Sequence, residues 1–289
     1  MDQAEGLRAK VARMRAAGSQ QPAPVRTIAV TSGKGGVGKT NVVVNLAVAM
    51  ARMGRQVLVI DADLGLANVD VVLGLNPEFT IRDVIEGRKS MQEVLVEGPS
   101  GIKILPAASG VSELATLSRE EKLLLLEELE AAPISPDVVL IDTAAGITDT
   151  VLYFNAAAAE RIVIATGEPT SLTDAYALMK VLYTSYQERN FALLVNNVAG
   201  EAQAKEVYRK LATAVDYFLE GISVDYLGFL PTDPSVHEAV MRQRPVVEAF
   251  PSAPVSRAIT NLAKRLLRQP LSAPSGNIKF FWRRLAAVP

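Results

Sequence analysis

The chain has 289 residues, 49% hydrophobic and 21% charged, which is enough for one large α/β domain or two small ones. Its 30 Lys+Arg against 31 Asp+Glu leave a net charge of -1, so a chain-wide basic footprint for nucleic acid is absent. No cysteine and a single histidine, His237, exclude disulfides, thiolate zinc sites, iron–sulfur clusters, Cys nucleophiles and His-rich metal sites.

The opening residues lack the apolar stretch of a signal peptide, and no apolar run is long enough to span a bilayer, so the expected location is cytoplasmic. Residues 1–17 are polar and alanine-rich, with Ala4, Leu7, Val11 and Met14 at helical spacing; residues 18–24 are a Gly/Pro linker. From 25 to about 267 the pattern alternates. Runs at 27–31, 56–60, 137–141, 161–165 and 191–195 are nearly all apolar, as strands buried on both faces of a parallel sheet are. Helical stretches lie between them, and the one from 118 opens with a capping box. This predicts an α/β fold: a doubly wound, mostly parallel sheet flanked by helices. A second loose linker begins at 269 and leads into a basic, aromatic tail. The expected division is therefore 1–24, 25–268 and 269–289.

Gly33-Lys34-Gly35-Gly36-Val37-Gly38-Lys39-Thr40 follows a strand and precedes a helical pattern built on Val42, Val43, Leu46, Ala47 and Met50. Glycines let backbone N–H groups turn inward around phosphates, and the helix N-terminus adds its positive dipole. Lys39 would reach the β/γ-phosphates and the Thr40 hydroxyl would bind Mg2+, with Asn41 completing the nucleotide-binding segment.

The segment from Lys34 to Thr40, with its early second lysine, is similar to the deviant Walker A motif of the MinD/ParA ATPases. The resemblance implies a P-loop NTPase fold, ATP/ADP and Mg2+ as ligands, and an ATP-sandwiched homodimer. In such a dimer Lys34 reaches the partner subunit's phosphates, offsetting charge that develops during phosphoryl transfer. Read alone, Lys34 is open to being a solvated loop lysine.

Two acidic segments follow. Asp61 and Asp63 end the second strand, on the ligand-binding edge of an open α/β sheet. The segment resembles switch I of the MinD group, which implies that Asp63 positions the attacking water and Asp61 supports the metal, with Asn68 a further switch residue. The alternative is that these acids cap the next helix. The apolar strand ending in Asp142 reads as Walker B running into switch II, with Asp142 holding Mg2+ through water and Gly146 letting the loop respond to the γ-phosphate. At the base end the resemblance implicates Asn196, and Pro231 with Asp233, in adenine recognition. Asn and Pro also end strands for structural reasons, so both readings stand. His237 is expected to be a packing or surface residue.

In the tail, Ile278, Phe281, Trp282, Leu285 and Val288 share one helical face, and Lys279, Arg283 and Arg284 lie on the others. Such a helix suits an anionic membrane surface, or else docks on its own domain. It resembles the membrane-targeting helix that ends MinD-like proteins. At the other end Asp2-Gln3-Ala4-Glu5-Gly6-Leu7-Arg8 matches the Asp-Gln-Ala-x-x-Leu-Arg element opening FlhG proteins, also called FleN or YlxH. In that family the element stimulates the GTPase FlhF. Without the match, a disordered starting tail is the plain reading.

The resemblance thus implies an FlhG-type ATPase that binds the inner face of the membrane as an ATP dimer. Its implied partners are itself, FlhF, flagellar switch proteins and anionic lipid, and its implied role is control of flagellar number and placement. A division-site MinD, a DNA-partition ParA and an assembly scaffold with little turnover are the alternatives.

Overall fold

A computed structural model describes residues 25–63, 68–106, 128, 132, 134–270 and 284. Eight strands form one sheet: β1 (Arg26–Ser32), β2 (Val57–Ala62), β3 (Val96–Glu97), β4 (Lys103–Leu105), β5 (Val138–Ala145), β6 (Glu160–Ala165), β7 (Asn190–Val198) and β8 (Ser223–Pro231). Their order is β3-β4-β2-β5-β1-β6-β7-β8, parallel throughout except for β3 against β4. The helices are α1 (Lys39–Ala51), α2 (Val69–Leu73), α3 (Ile81–Ile85), α4 (Met91–Val94) and α5 (Asp149–Ala157), then α6 (Pro169–Tyr186), α7 (Glu201–Phe218), α8 (Pro234–Met241), α9 (Val246–Ala249) and α10 (Pro254–Arg268).

The apolar runs become strands because helices cover both faces. Ile28 and Val30 of β1 pack with Leu46 and Met50 of α1 and Leu262 of α10. Ala29, between them in sequence, turns to the opposite face and meets Tyr153 and Phe154 of α5. Val163 of β6 and Leu193 of β7 pack against Leu178 of α6 and Leu211 of α7. Each large apolar side chain buried this way contributes about 1.5–3 kcal/mol, so a doubly covered sheet holds the fold. All five predicted runs correspond to strands; residues 56 and 137 fall just before theirs, and β5 and β7 run on four and three residues beyond the expected ends. The two-residue β3 and three-residue β4 were not expected.

Strand β1 is the point of reversal: the chain goes from β1 to β2 on one side and later reaches β6 on the other. In open α/β sheets ligands bind beyond the strand C-termini at such a point. At the opposite edge, buried Arg26 ion-pairs with Glu160 at 3.2 Å and donates to the Gln269 carbonyl at 2.5 Å, tying the end of α10 to the start of β1. The helical prediction at 118–126, the N-terminal residues Asp2, Gln3, Ala4, Leu7 and Arg8, and the tail residues Ile278, Phe281, Trp282 and Leu285 lie outside the described residues. Arg284 is described, and it donates to the Ala156 carbonyl at 2.8 Å.

Candidate functional site

The loop from Gly33 to Gly38 leaves β1 and enters α1. Gly36 and Gly38 have φ of 75° and 92°, the left-handed region that glycine tolerates. Gly38 is also crowded: a Cβ there would lie 2.6 Å from Asn196 Nδ2. Lys39 is buried and donates from Nζ to Ser32 Oγ at 2.9 Å; Ser32 Oγ in turn donates to the Lys34 carbonyl at 2.7 Å. Burial pushes the Lys39 ammonium below its ordinary pKa, against the opposing pull of Asp142 and Asp63. A desolvated cation at the N-terminus of α1, behind a glycine-rich loop, is suited to a polyphosphate.

Asp61 and Asp142 are partners in the parallel register of β2 and β5. Both are buried. Asp61 Oδ1 accepts from the Asp63 N–H at 3.1 Å, and Oδ2 accepts from the Asn68 and Val69 N–H groups at 3.2 Å each. It therefore pins both ends of switch I and caps α2. Burial still lifts its pKa to about 6. Asp142 has no such help. Neither of its oxygens makes a hydrogen bond of acceptable geometry, the facing Thr40 hydroxyl included. Burial first, and then the Asp61 charge, push it up to about 8, against Thr40 and Lys39.

An orphaned buried carboxylate beside Thr40 and Lys39 fits a divalent cation and the phosphates it would bridge. Among the described residues no group of three or more His, Cys, Asp or Glu side chains could hold a metal. Mg2+ is commonly held by one or two carboxylates together with substrate phosphates. Asp63, just after β2, accepts from Asn68 Nδ2 at 3.2 Å. Switch II is tied to the loop, since the Gly146 N–H donates to the Ser32 carbonyl at 2.9 Å.

Lys34 is not with Lys39. Its Nζ pairs with Glu168 at the head of α6 and donates to Thr170 Oγ1 at 3.1 Å, half exposed. Neither Glu168 nor Thr170 was singled out from sequence; the signal available was their place just after a strand C-terminus, on the ligand edge.

A cavity of ≈ 390 Å³ extends from Lys34–Gly38 to Asn196, Asn197, Pro231 and Asp233. Asn196 Nδ2 donates to the Val37 carbonyl at 2.8 Å, which leaves Oδ1 as the free acceptor of that amide. Asp233 caps α8, accepting from the Ser235 N–H at 3.0 Å, and it also accepts from the Val255 N–H at 3.2 Å. Burial alone would raise its pKa; those two donors outweigh it and hold the carboxyl below the ordinary range. Asp233 thus shapes the base end by fixing α8. Pro231 ends β8 at the same rim, while His237 is exposed on α8 and lines the cavity. Asn41 is half-buried in the first turn of α1, where its carbonyl accepts from Asn45 Nδ2 at 2.7 Å.

A glycine loop between a central parallel strand and a helix, a buried lysine and two strand-end acids define a phosphate-loop nucleotide-binding protein of the α/β class. Residues 28–246 match the CobQ/CobB/MinD/ParA nucleotide binding domain. The chain is 46% identical over 267 residues to the antiactivator FleN of Pseudomonas aeruginosa, covering 92% of this chain and 95% of that one. It is 31% identical to the flagellum site-determining protein YlxH of Helicobacter pylori, covering 89% and 88%. Among solved structures it resembles the septum site-determining protein MinD of Pyrococcus horikoshii, complexed with Mg-ADP: TM-score 0.68, 26% identity, 84% and 96% covered. The chain belongs to the MinD/ParA family of nucleotide-binding proteins, in its FlhG (FleN/YlxH) group.

Proposed function

We propose that this chain is an ATPase whose nucleotide cycle switches a membrane-bound homodimer and thereby sets flagellar number and placement. The observation that carries the hydrolytic reading is Asp142, buried and without a hydrogen-bond partner beside Lys39 and Thr40. Thr40 and Asp142 would hold Mg2+, whose charge would be supplied against the nucleotide phosphates; Asp61 stands behind them, holding the backbone of Asp63, Asn68 and Val69. Asp63 orients the attacking water. Attack on the γ-phosphorus breaks its bond to the β–γ bridging oxygen, giving ADP and phosphate, while Lys39 offsets the charge on the leaving oxygen. The free Oδ1 of Asn196 suits the 6-amino group of adenine and not the 6-oxo group of guanine.

Lys34 supports the dimer. It lies half exposed at the loop's outer side, where a second subunit's nucleotide could meet it, and Glu168 and Thr170 hold it there. The protein would be cytoplasmic as a monomer and peripheral on the membrane as an ATP dimer, with the helix of residues 277–288 as its anchor. Two anchors on one dimer act in avidity where one binds weakly. The division into an N-terminal activator segment (1–24), an ATPase domain (25–268) and an anchor (269–289) belongs to the same reading. Residues 1–20 would stimulate FlhF, and flagellar switch proteins would be further partners. The name of the P. aeruginosa relative, antiactivator, favours an additional role in opposing an activator.

Phosphate release from ATP, with dimer mass followed by light scattering, tests the core of the reading. Asp63→Ala should dimerise on ATP yet hydrolyse it at least about a hundredfold more slowly, and normal turnover would refute the switch I assignment. GTP hydrolysis by FlhF with a peptide of residues 1–20, and with its Gln3→Ala form, tests the activator segment. No stimulation of a folded FlhF would favour the division-site reading.

A further inference from the structure

Helix α10 has an acid-free sequence, PVSRAITNLAKRLLR, with one buried face. Val255, Ile259, Leu262, Ala263 and Leu266 pack into the core, while Arg257, Asn261, Lys264, Arg265 and Arg268 are exposed. At about 100° per residue, Arg257, Lys264 and Arg268 fall within about 40° of arc, in one line about 17 Å long. Asn261 sits beside that line. No carboxylate pairs with any of these three cations among the described residues. Arg265 lies some 80° round and is committed elsewhere, donating to the Tyr226 carbonyl at 2.8 Å, with Glu201 and Asp225 beside it.

What sets this arrangement apart is its alignment. Several other exposed helical cations are paired with carboxylates, Lys205 with Glu201, Lys210 with Glu206, Arg82 with Glu86 and Lys89 with Glu93, while Lys180 and Arg209, which have no ion pair among the described residues, stand singly on different helices. A molecule with a net charge of -1 has concentrated an uncompensated line of three cations on its last described helix.

We infer that the Arg257–Lys264–Arg268 line is a second membrane-contact surface, which lies against anionic lipid headgroups and sets how the ATPase core sits on the bilayer. The inference rests on the membrane reading above. It follows from continuity as well as charge, because the sequence after α10 carries apolar residues at helical spacing and two further cations, Lys279 and Arg283, besides Arg284, which is held by the Ala156 carbonyl. Exposed cations at such a surface favour anionic lipid in proportion to its content and lose that preference in salt. A nucleic acid backbone would also attract the line, but the aromatic segment that follows is suited to an acyl interface and not to a phosphate backbone.

The test uses the full chain with ATP and vesicles of phosphatidylglycerol and phosphatidylethanolamine at graded ratios, with pure phosphatidylcholine as reference. The Arg257→Gln, Lys264→Gln, Arg268→Gln triple variant should bind anionic vesicles at least about tenfold more weakly, each single change costing up to about fivefold. The charge-preserving variant (Arg257→Lys, Lys264→Arg, Arg268→Lys) should bind like the parent. Lipid-free ATP turnover should stay unchanged, since none of the three lines the nucleotide cavity. Equal binding by the parent and triple-Gln chains at every lipid ratio would overturn this inference alone. Loss of DNA retention with vesicle binding intact would also overturn it, in favour of nucleic acid. A parent chain that binds no vesicles would overturn the membrane reading itself, before any variant is compared.

Discussion

Asp61 and Asp142, in register on adjacent parallel strands, place two carboxylates in one buried pocket. Three backbone donors hold Asp61 to about 6, while Asp142 has none and rises to about 8. Its folded pKa lies above the 3.8 of an ordinary aspartate, so the stability it contributes is fully present below about pH 4 and lost as pH climbs through about 8. Asp142→Asn removes that penalty. Without nucleotide or metal, the variant should melt several degrees above the parent at pH 9, a gain on the order of a few kcal/mol, with the gap narrowing toward pH 5. It should not hydrolyse ATP. Melting curves of parent and variant that run parallel from pH 5 to 9 would contradict this account.

The two loop lysines should separate cleanly in kinetics. Lys39 is buried against Ser32 at the end of the glycine loop, the place proposed for the phosphates, so Lys39→Ala should lose ATP binding. Lys34 is held outward by Glu168 and Thr170, so Lys34→Ala should bind ATP within about threefold of the parent while turnover falls by about 10²–10³. Equilibrium binding of a fluorescent ATP analogue beside phosphate release would show whether the effects divide this way.

Base selection should fall on Asn196. With Nδ2 spent on the Val37 carbonyl, truncation to Ala removes the acceptor at the base and a tie to the phosphate loop together. Loss of the loop tie weakens both nucleotides and loss of the acceptor weakens ATP further, so ATP affinity should drop about tenfold more than GTP affinity, as competition binding with the two nucleotides would reveal. An unchanged ATP-to-GTP ratio would leave Asn196 a structural strand end.

Gly38→Ala faces two obstacles, a φ of 92° and the Asn196 amide 2.6 Å from the new methyl. The expected outcome is a loss of about 1–3 kcal/mol of stability and no measurable ATP binding, read by thermal unfolding and titration.

The phosphate loop, the strand-end acids and the buried strands were legible because each is local: a glycine spacing, an apolar run, a charge where the run stops. What escaped depends on distant chain segments. Glu168 and Thr170 matter because α6 brings them to Lys34, more than 130 residues earlier in the chain. Asp61 and Asp142 read alike as strand-end acids, yet only the fold gives one three donors and the other none. Asp233 read as a base contact; the Ser235 and Val255 N–H groups show it fastening α8 to α10. Strands β3 and β4 are too short for any period to appear.

Gly33 has a mechanical consequence. A Cβ there would lie 2.1 Å from the Asp174 carbonyl oxygen, so the second turn of α6 bears directly on the backbone that opens the phosphate loop. With no side chain to act as a cushion, a small slide of α6 is transmitted to the loop undiminished. The same helix begins beside Glu168, the partner of Lys34. Whatever presses on the outer face of α6 therefore has a short lever on the start of the phosphate loop and on Lys34 together, and the 18 residues of that helix give it a long handle.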